Sequence, residues 1–142
     1  MQNEIDFAFF DIGGTLGERN ASTNVFTPFP TSAGLLKTLR DQLGLRIGII
    51  TTAGSLTNAQ VSTLLQTAGL AQFISPGALI SEHDAGVAKP DVKIYKFAAQ
   101  RVGVPTNRCI FVGENLIEVI GAMNAGMKAV LKPCPPGREL PV

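Results

Sequence analysis

The sequence predicts an α/β domain, a doubly wound, Rossmann-like sheet of five parallel strands with helices on both faces. Short apolar runs alternate with helical patterns of about ten to thirteen residues, and each parallel crossover requires such a helix. Asp11, Thr51 and Glu114 each stand at the C-terminal end of an apolar run. In open α/β sheets that is where ligands bind, beyond the strand ends at which strand order reverses. The 142 residues, 45% apolar and 16% charged, suit one packed core.

Ile5 to Phe10 is apolar and runs into Asp11 and the turn Gly13-Gly14-Thr15, which reads as a buried first strand. Gly17 to Pro30 has no sustained period and is expected to be a loop or flap carrying Val25, Phe26 and Phe29. Thr31-Ser32 precede Leu35, Leu36, Leu39 and Leu43 at helical spacing, with Gly44 as the stop. Leu45 to Ile50 is the second strand, running into the polar turn Thr51 to Ser55, and a helix follows from about Thr57 to Ala68. Phe73 to Ser81 gives a short third strand, with a turn at Pro76-Gly77. Asp91 to Val102 is a helix with an apolar face of Ile94, Phe97, Ala98 and Val102. Cys109 to Val112 is the fourth strand, Asn115 to Ala125 a helix, and Lys128 to Leu131 the fifth strand. Met123 and Met127, four apart, are expected in the core. This divides the chain into a domain over residues 1–132 and an extended Pro-rich tail over 133–142.

Net charge is +1 with no basic cluster, so nothing points to nucleic acid or to an anionic membrane surface. No stretch approaches the ~20 apolar residues of a membrane helix, and Met1 to Glu4 lacks the basic start of a signal peptide; a cytoplasmic location is expected. Cys109 and Cys134 have the spacing of neither a disulfide frame nor a metal site.

Four pieces carry chemistry. Asp11 to Thr15 puts a carboxylate on a rigid strand end before two glycines, which let backbone approach an anion closely. The second strand ends in Thr51. Gly86 to Asp91 contains Lys89-Pro90-Asp91 leading into a helix, and Gly113-Glu114 with Glu118 precedes Ala122 to Met127. In this order the four pieces resemble those of haloacid dehalogenase-like hydrolases over almost the whole chain, from about Phe7 to Leu131. Asp11 to Thr15 alone also looks like the phosphate-binding Asp-x-Gly-Gly-Thr of actin-like sugar kinases, but such a kinase needs two domains of this kind.

The resemblance implies a phosphoryl-transfer site. Asp11 would be the nucleophile, Thr51, Thr52 and Lys89 would hold the phosphoryl oxygens, and Mg²⁺ would be bound by Asp11, the Gly13 carbonyl and Glu114. Glu118 would support these groups from behind. Such chemistry needs an in-line nucleophile, charge neutralisation and fixed donors, and Mg²⁺ needs only one or two carboxylates beside water and substrate oxygen. The departures are equally specific. Gly13 replaces the aspartate that protonates the leaving oxygen, a contribution of ~10²–10⁴ in rate. Both acids of the last motif are lengthened to glutamate. The flap and the stretch from Ser81 to Lys89 leave no room for a cap domain, so the site should be open to a phosphorylated small molecule or a larger phosphorylated substrate. A second copy docking through residues 17–30 would close it.

The same residues have plainer readings. Asp11 before glycine suits an Asx turn, Thr51 and Thr52 suit a cap, Lys89 a solvated surface, and Glu114 and Glu118 a helix start. His83, near the end of the third strand, reads as a stand-in acid or, more plainly, as a surface histidine, and Asn115 and Arg101 have no geometric claim on the site from sequence. Two classes therefore stay open: a slow or specialised phosphatase acting through Asp11, and a non-catalytic module that binds a phosphorylated ligand or a protein.

Overall fold

The computed structural model describes residues 5–133. The elements follow the order β1 (Phe7–Phe10), β2 (Gly17–Arg19), β3 (Phe26–Pro28), α1 (Ser32–Asp41), β4 (Arg46–Thr51), α2 (Asn58–Thr67), β5 (Leu79–Ser81), α3 (Glu82–Ala85), α4 (Val92–Val102), β6 (Cys109–Gly113), α5 (Leu116–Asn124) and β7 (Lys128–Leu131). The main sheet has the order β5-β4-β1-β6-β7, all parallel, with Phe7 opposite Arg46 on one side and Cys109 on the other. From β1 the chain steps outward through β4 and β5, then crosses back to β6. The order therefore reverses beside β1, and the crevice at that reversal opens at the carboxyl ends of β1 and β6.

Alternation along the buried strands feeds two cores. Phe7, Phe9, Ile50 and Ile80 pack with Ile94, Tyr95 and Ala98 of α4 and Val119 and Ala122 of α5. Ala8, Phe10, Ile47 and Ile49 pack on the opposite face with Leu36 of α1 and Val61 and Leu65 of α2. Each of the larger buried side chains contributes ~1.5–3 kcal/mol from burial. Caps set the helix ends. Thr57 and Gln60 form a reciprocal capping box at α2, Asp91 accepts from Lys93 N at α4, and α4 stops at Gly103 with φ +73°.

The structure changes several of the sequence expectations. Phe73 belongs to a 3₁₀ turn over Ala71–Phe73, so the third strand shrinks to Leu79–Ser81; Ser75 N donates to Ile47 O before the Pro76-Gly77 turn. The flap is an antiparallel hairpin, β2 against β3, held at its tip by Asn20, whose side chain accepts from Ser22 N and Thr23 N. Met127 is buried but Met123 is 57% exposed, because it falls on the outer stripe of α5 with Leu116, Ile117 and Ile120, all exposed. Cys134 and the rest of the tail after Pro133 lie outside the described residues. Among those residues no second domain is inserted after β1 or after β5, and no helix is long and apolar enough to cross a membrane.

Candidate active site

β1 delivers Asp11 to the crevice, where its N–H donates to Val112 O at 3.0 Å and so ties the strand end to β6. The turn that follows is tight: Thr15 N and Leu16 N both donate to Ile12 O, and Gly14 N donates to Gly17 O. Gly14 has φ +76°, and a Cβ there would lie 2.6 Å from both Cδ and Oε1 of Glu114. The Glu114 carboxylate therefore rests against the Gly14 backbone in space that any side chain would fill. Gly13 is different. It is exposed, and a Cβ added to it meets nothing within 4 Å.

Lys89 arrives from the loop before α4. Its side chain is 1% exposed, and its Nζ donates to Asp11 Oδ1 at 2.7 Å and pairs with Glu118 Oε1 at 2.9 Å. A buried ammonium is tolerated because two carboxylates face it. The ring of Phe111 lies 5.5 Å from Nζ. Close packing of this loop on α5 sets the geometry: a Cβ on Gly121 would fall 2.4 Å from Pro90 O. Bare backbone at Gly121 lets Pro90 approach the helix that carries Glu118 one turn earlier. Tyr95 donates to the Glu118 carbonyl at 2.6 Å, and burial, then the neighbouring Glu118 and Asp11 charges, push its phenol well above the usual range.

Thr51 ends β4 and is buried, and Thr52 beside it is exposed; both line a cleft of about 170 Å³ together with Gly13, Arg19, Phe26 and Leu56. The loop after Thr52 is fastened from the end of β5. Glu82 accepts from Ala53 N at 2.7 Å and Gly54 N at 2.9 Å, His83 Nε2 lies 2.9 Å from Leu56 O, and Asp84 accepts from Asn58 Nδ2 at 2.7 Å. Burial raises the Glu82 carboxyl, but the two loop N–H donors outweigh it and hold the group below the ordinary range. Asp84 is likewise held low, its burial outweighed by Ser81 N and the Asn58 amide.

The structure thus brings Asp11, Lys89 and Glu118 into one ion cluster, sets Thr51 and Thr52 at the adjacent strand end, and places Glu114 over Gly14. His83 binds a loop carbonyl, Asn115 caps α5 by accepting from Glu118 N, and Arg101 stacks 4.9 Å over Phe97. None of these three joins the ion cluster. Sequence reasoning missed Glu82 as the loop fastener and Arg19 and Phe26 as cleft walls. Ser81-x-x-Asp84 is a legible capping box and is formed; it could have placed a helix start beside the second loop. Thr15 Oγ1 is buried without a hydrogen-bond partner among the described residues, which nothing around it explains.

As a donor set for a cation, Asp11, Glu114 and the Gly13 carbonyl would offer hard oxygens. Among the described residues no group of three or more His, Cys, Asp or Glu side chains is placed to hold a metal ion. Two carboxylates with a carbonyl fit an ion that keeps several waters, such as Mg²⁺, and do not fit a thiolate or imidazole metal.

A central parallel sheet whose strand-order reversal presents a carboxylate with a buried ammonium paired to it defines a Rossmann-like α/β protein. The chain belongs to the haloacid dehalogenase-like hydrolase family, whose model matches residues 6–126. It is 29% identical over 119 residues to a glyceraldehyde 3-phosphate phosphatase of Methanothermobacter thermautotrophicus, covering 83% of this chain and 50% of that protein. It is 33% identical to a pyrimidine 5'-nucleotidase of Escherichia coli, over 76% of this chain and 46% of the other. A crystal structure of a dehalogenase superposes with a TM-score of 0.78 at 18% identity, covering 92% of this chain and 86% of that one, a likeness of fold. The chain spans about half the length of the curated relatives it matches.

Proposed function

We propose that this chain is a Mg²⁺-dependent phosphatase that works through an aspartyl-phosphate on Asp11 and is slow on ordinary alkyl phosphates. One observation carries the reading: Lys89 Nζ, almost fully buried, holds Asp11 Oδ1 at 2.7 Å. This fixes the carboxylate in orientation and places a positive charge where phosphoryl oxygens would sit. Asp11 attacks phosphorus as the alkoxide or phenolate leaves, and water then displaces the carboxylate to release phosphate. Thr51 and Thr52 donate to the non-bridging oxygens, and Glu118 holds the Lys89 ammonium in place. A bound Mg²⁺, held by Asp11, Glu114 and the Gly13 carbonyl, would supply further neutralisation of the transferring group.

No side chain at position 13 can protonate the leaving oxygen, so good leaving groups are favoured. The open space at Gly13 also favours a second reading, a module that binds a phosphorylated ligand or a protein without turnover. Closure by a second copy belongs to the proposal as well, through the hairpin tip, where Val25 is 57% exposed while Phe26 turns inward.

The test is phosphate release from an activated aryl phosphate and from acetyl phosphate, with and without Mg²⁺. Turnover that depends on Mg²⁺ and disappears in Asp11→Asn supports the phosphatase. Mg²⁺ binding with no turnover, even in Gly13→Asp, leaves the binding module.

A further inference from the structure

We propose that the substrate carries a carboxylate in addition to its phosphoryl group, and that Arg19 reads it. The inference rests on the phosphatase reading and concerns the part of the substrate that is not transferred. Thr51 and Thr52 share one cleft with Arg19, Phe26, Leu56 and Leu64. The only charged residue in that lining is Arg19, which is exposed. The rest of the wall, apart from the two threonines, is apolar or bare backbone.

The hairpin sets this arrangement. Arg19 and Phe26 are cross-strand partners, so both project from the same face of β2 and β3, the face turned toward α2. Phe26 is 6% exposed and anchors that face in the core. Arg19 Nη1 donates to Asn24 Oδ1 at 2.7 Å, which steadies the guanidinium through a neutral amide. A guanidinium has five N–H donors in a planar fork that matches a carboxylate, and this bond uses one of them.

Size narrows the class. An apolar cavity of about 150 Å³ holds benzene, so the cleft of about 170 Å³ takes a tail of about six non-hydrogen atoms. An acyl or enol phosphate of three or four carbons that also bears a carboxylate meets all three conditions, and its leaving group needs no proton: phosphoryl group at Thr51 and Thr52, short apolar stem against Phe26 and Leu56, carboxylate on Arg19. Phosphates with an uncharged remainder, such as simple sugar phosphates, leave the guanidinium without its matching anion.

The experiment compares two non-hydrolysable probes of similar length, 3-phosphonopropionate and propylphosphonate, by calorimetry on the full chain with Mg²⁺ present, beside inorganic phosphate. The wild type is expected to bind the carboxylate probe about tenfold or more tightly than the probe with the uncharged tail, as a charge-assisted contact requires. Arg19→Lys should keep part of that preference, Arg19→Gln should bring the ratio to about one, and Arg19→Glu should reverse it. Equal affinity for the two probes in the wild type, with phosphate bound, overturns the assignment of Arg19 and leaves the phosphatase reading intact. Absence of binding by phosphate and both probes, together with no turnover of an aryl phosphate, overturns both.

Discussion

Replacing Lys89 by methionine removes the one cation that two carboxylates share. Asp11 Oδ1 and Glu118 Oε1 touch the same nitrogen at 2.7 and 2.9 Å, so they lie within about 6 Å of each other. With the ammonium gone, two like charges at that separation repel by ~3 kcal/mol at an effective dielectric of about 20. Their side chains are 14% and 21% exposed, so water relieves only part of this. The variant should lose ~3 kcal/mol at pH 8, the low end for a broken buried pair. Urea unfolding at pH 8 measures this from the midpoint and slope. Adding Glu118→Gln to Lys89→Met should recover at least half of the loss. A deficit below ~1 kcal/mol at pH 8, or no recovery on adding Glu118→Gln, would refute the shared-cation account.

Gly13→Asp should fold with stability within ~0.5 kcal/mol of wild type, since a Cβ there has open space, and should raise hydrolysis of an alkyl phosphate by about 10²-fold or more; steady-state kinetics with urea titration checks both. Gly14→Ala should cost ~2 kcal/mol or more, because φ is +76° and the added methyl would displace the Glu114 carboxylate, a loss read by thermal unfolding. Glu82 and Asp84 titrate below the ordinary carboxylate range, so the stability they give is complete above that range and is lost as pH falls through their lowered values. Glu82→Gln should therefore cost ~1–3 kcal/mol at pH 7, and its unfolding curve should converge on wild type once pH falls below the lowered value of the Glu82 carboxyl. Burial pushes the Cys109 thiol up to about 11, so in a Cys134→Ala background the folded protein should resist alkylation at pH 8 until denaturant is added, as mass spectrometry would show.

The parallel sheet was legible because its strands are nearly continuous apolar runs with polar turns at their carboxyl ends. Asp11, Thr51 and Glu114 could be placed at those ends from such turns alone. What the sequence does not carry is the partner across space. Glu118 and Lys89 meet only because Gly121 is bare enough for Pro90 to sit on α5, a contact between segments 31 residues apart. The flap hid a hairpin because each strand has only three residues, too short for a period to show, and its register is fixed by backbone pairing and by Phe26 in the core. Phe73 was placed in a strand by its apolar character, whereas it fills the α2-side core from a 3₁₀ turn.

The exposed stripe of Leu116, Ile117, Ile120 and Met123 along α5 bears on how the protein behaves as a solute. With a net charge of +1 near neutral pH, molecules of this chain repel one another weakly, so nothing long-ranged holds their apolar flanks apart. Sulfate strengthens the burial of such surface while chaotropic anions do not. Solubility should therefore fall steeply with ammonium sulfate, and lowering the pH to build up positive charge should restore it, making the colloidal behaviour of the protein a property of one helix face.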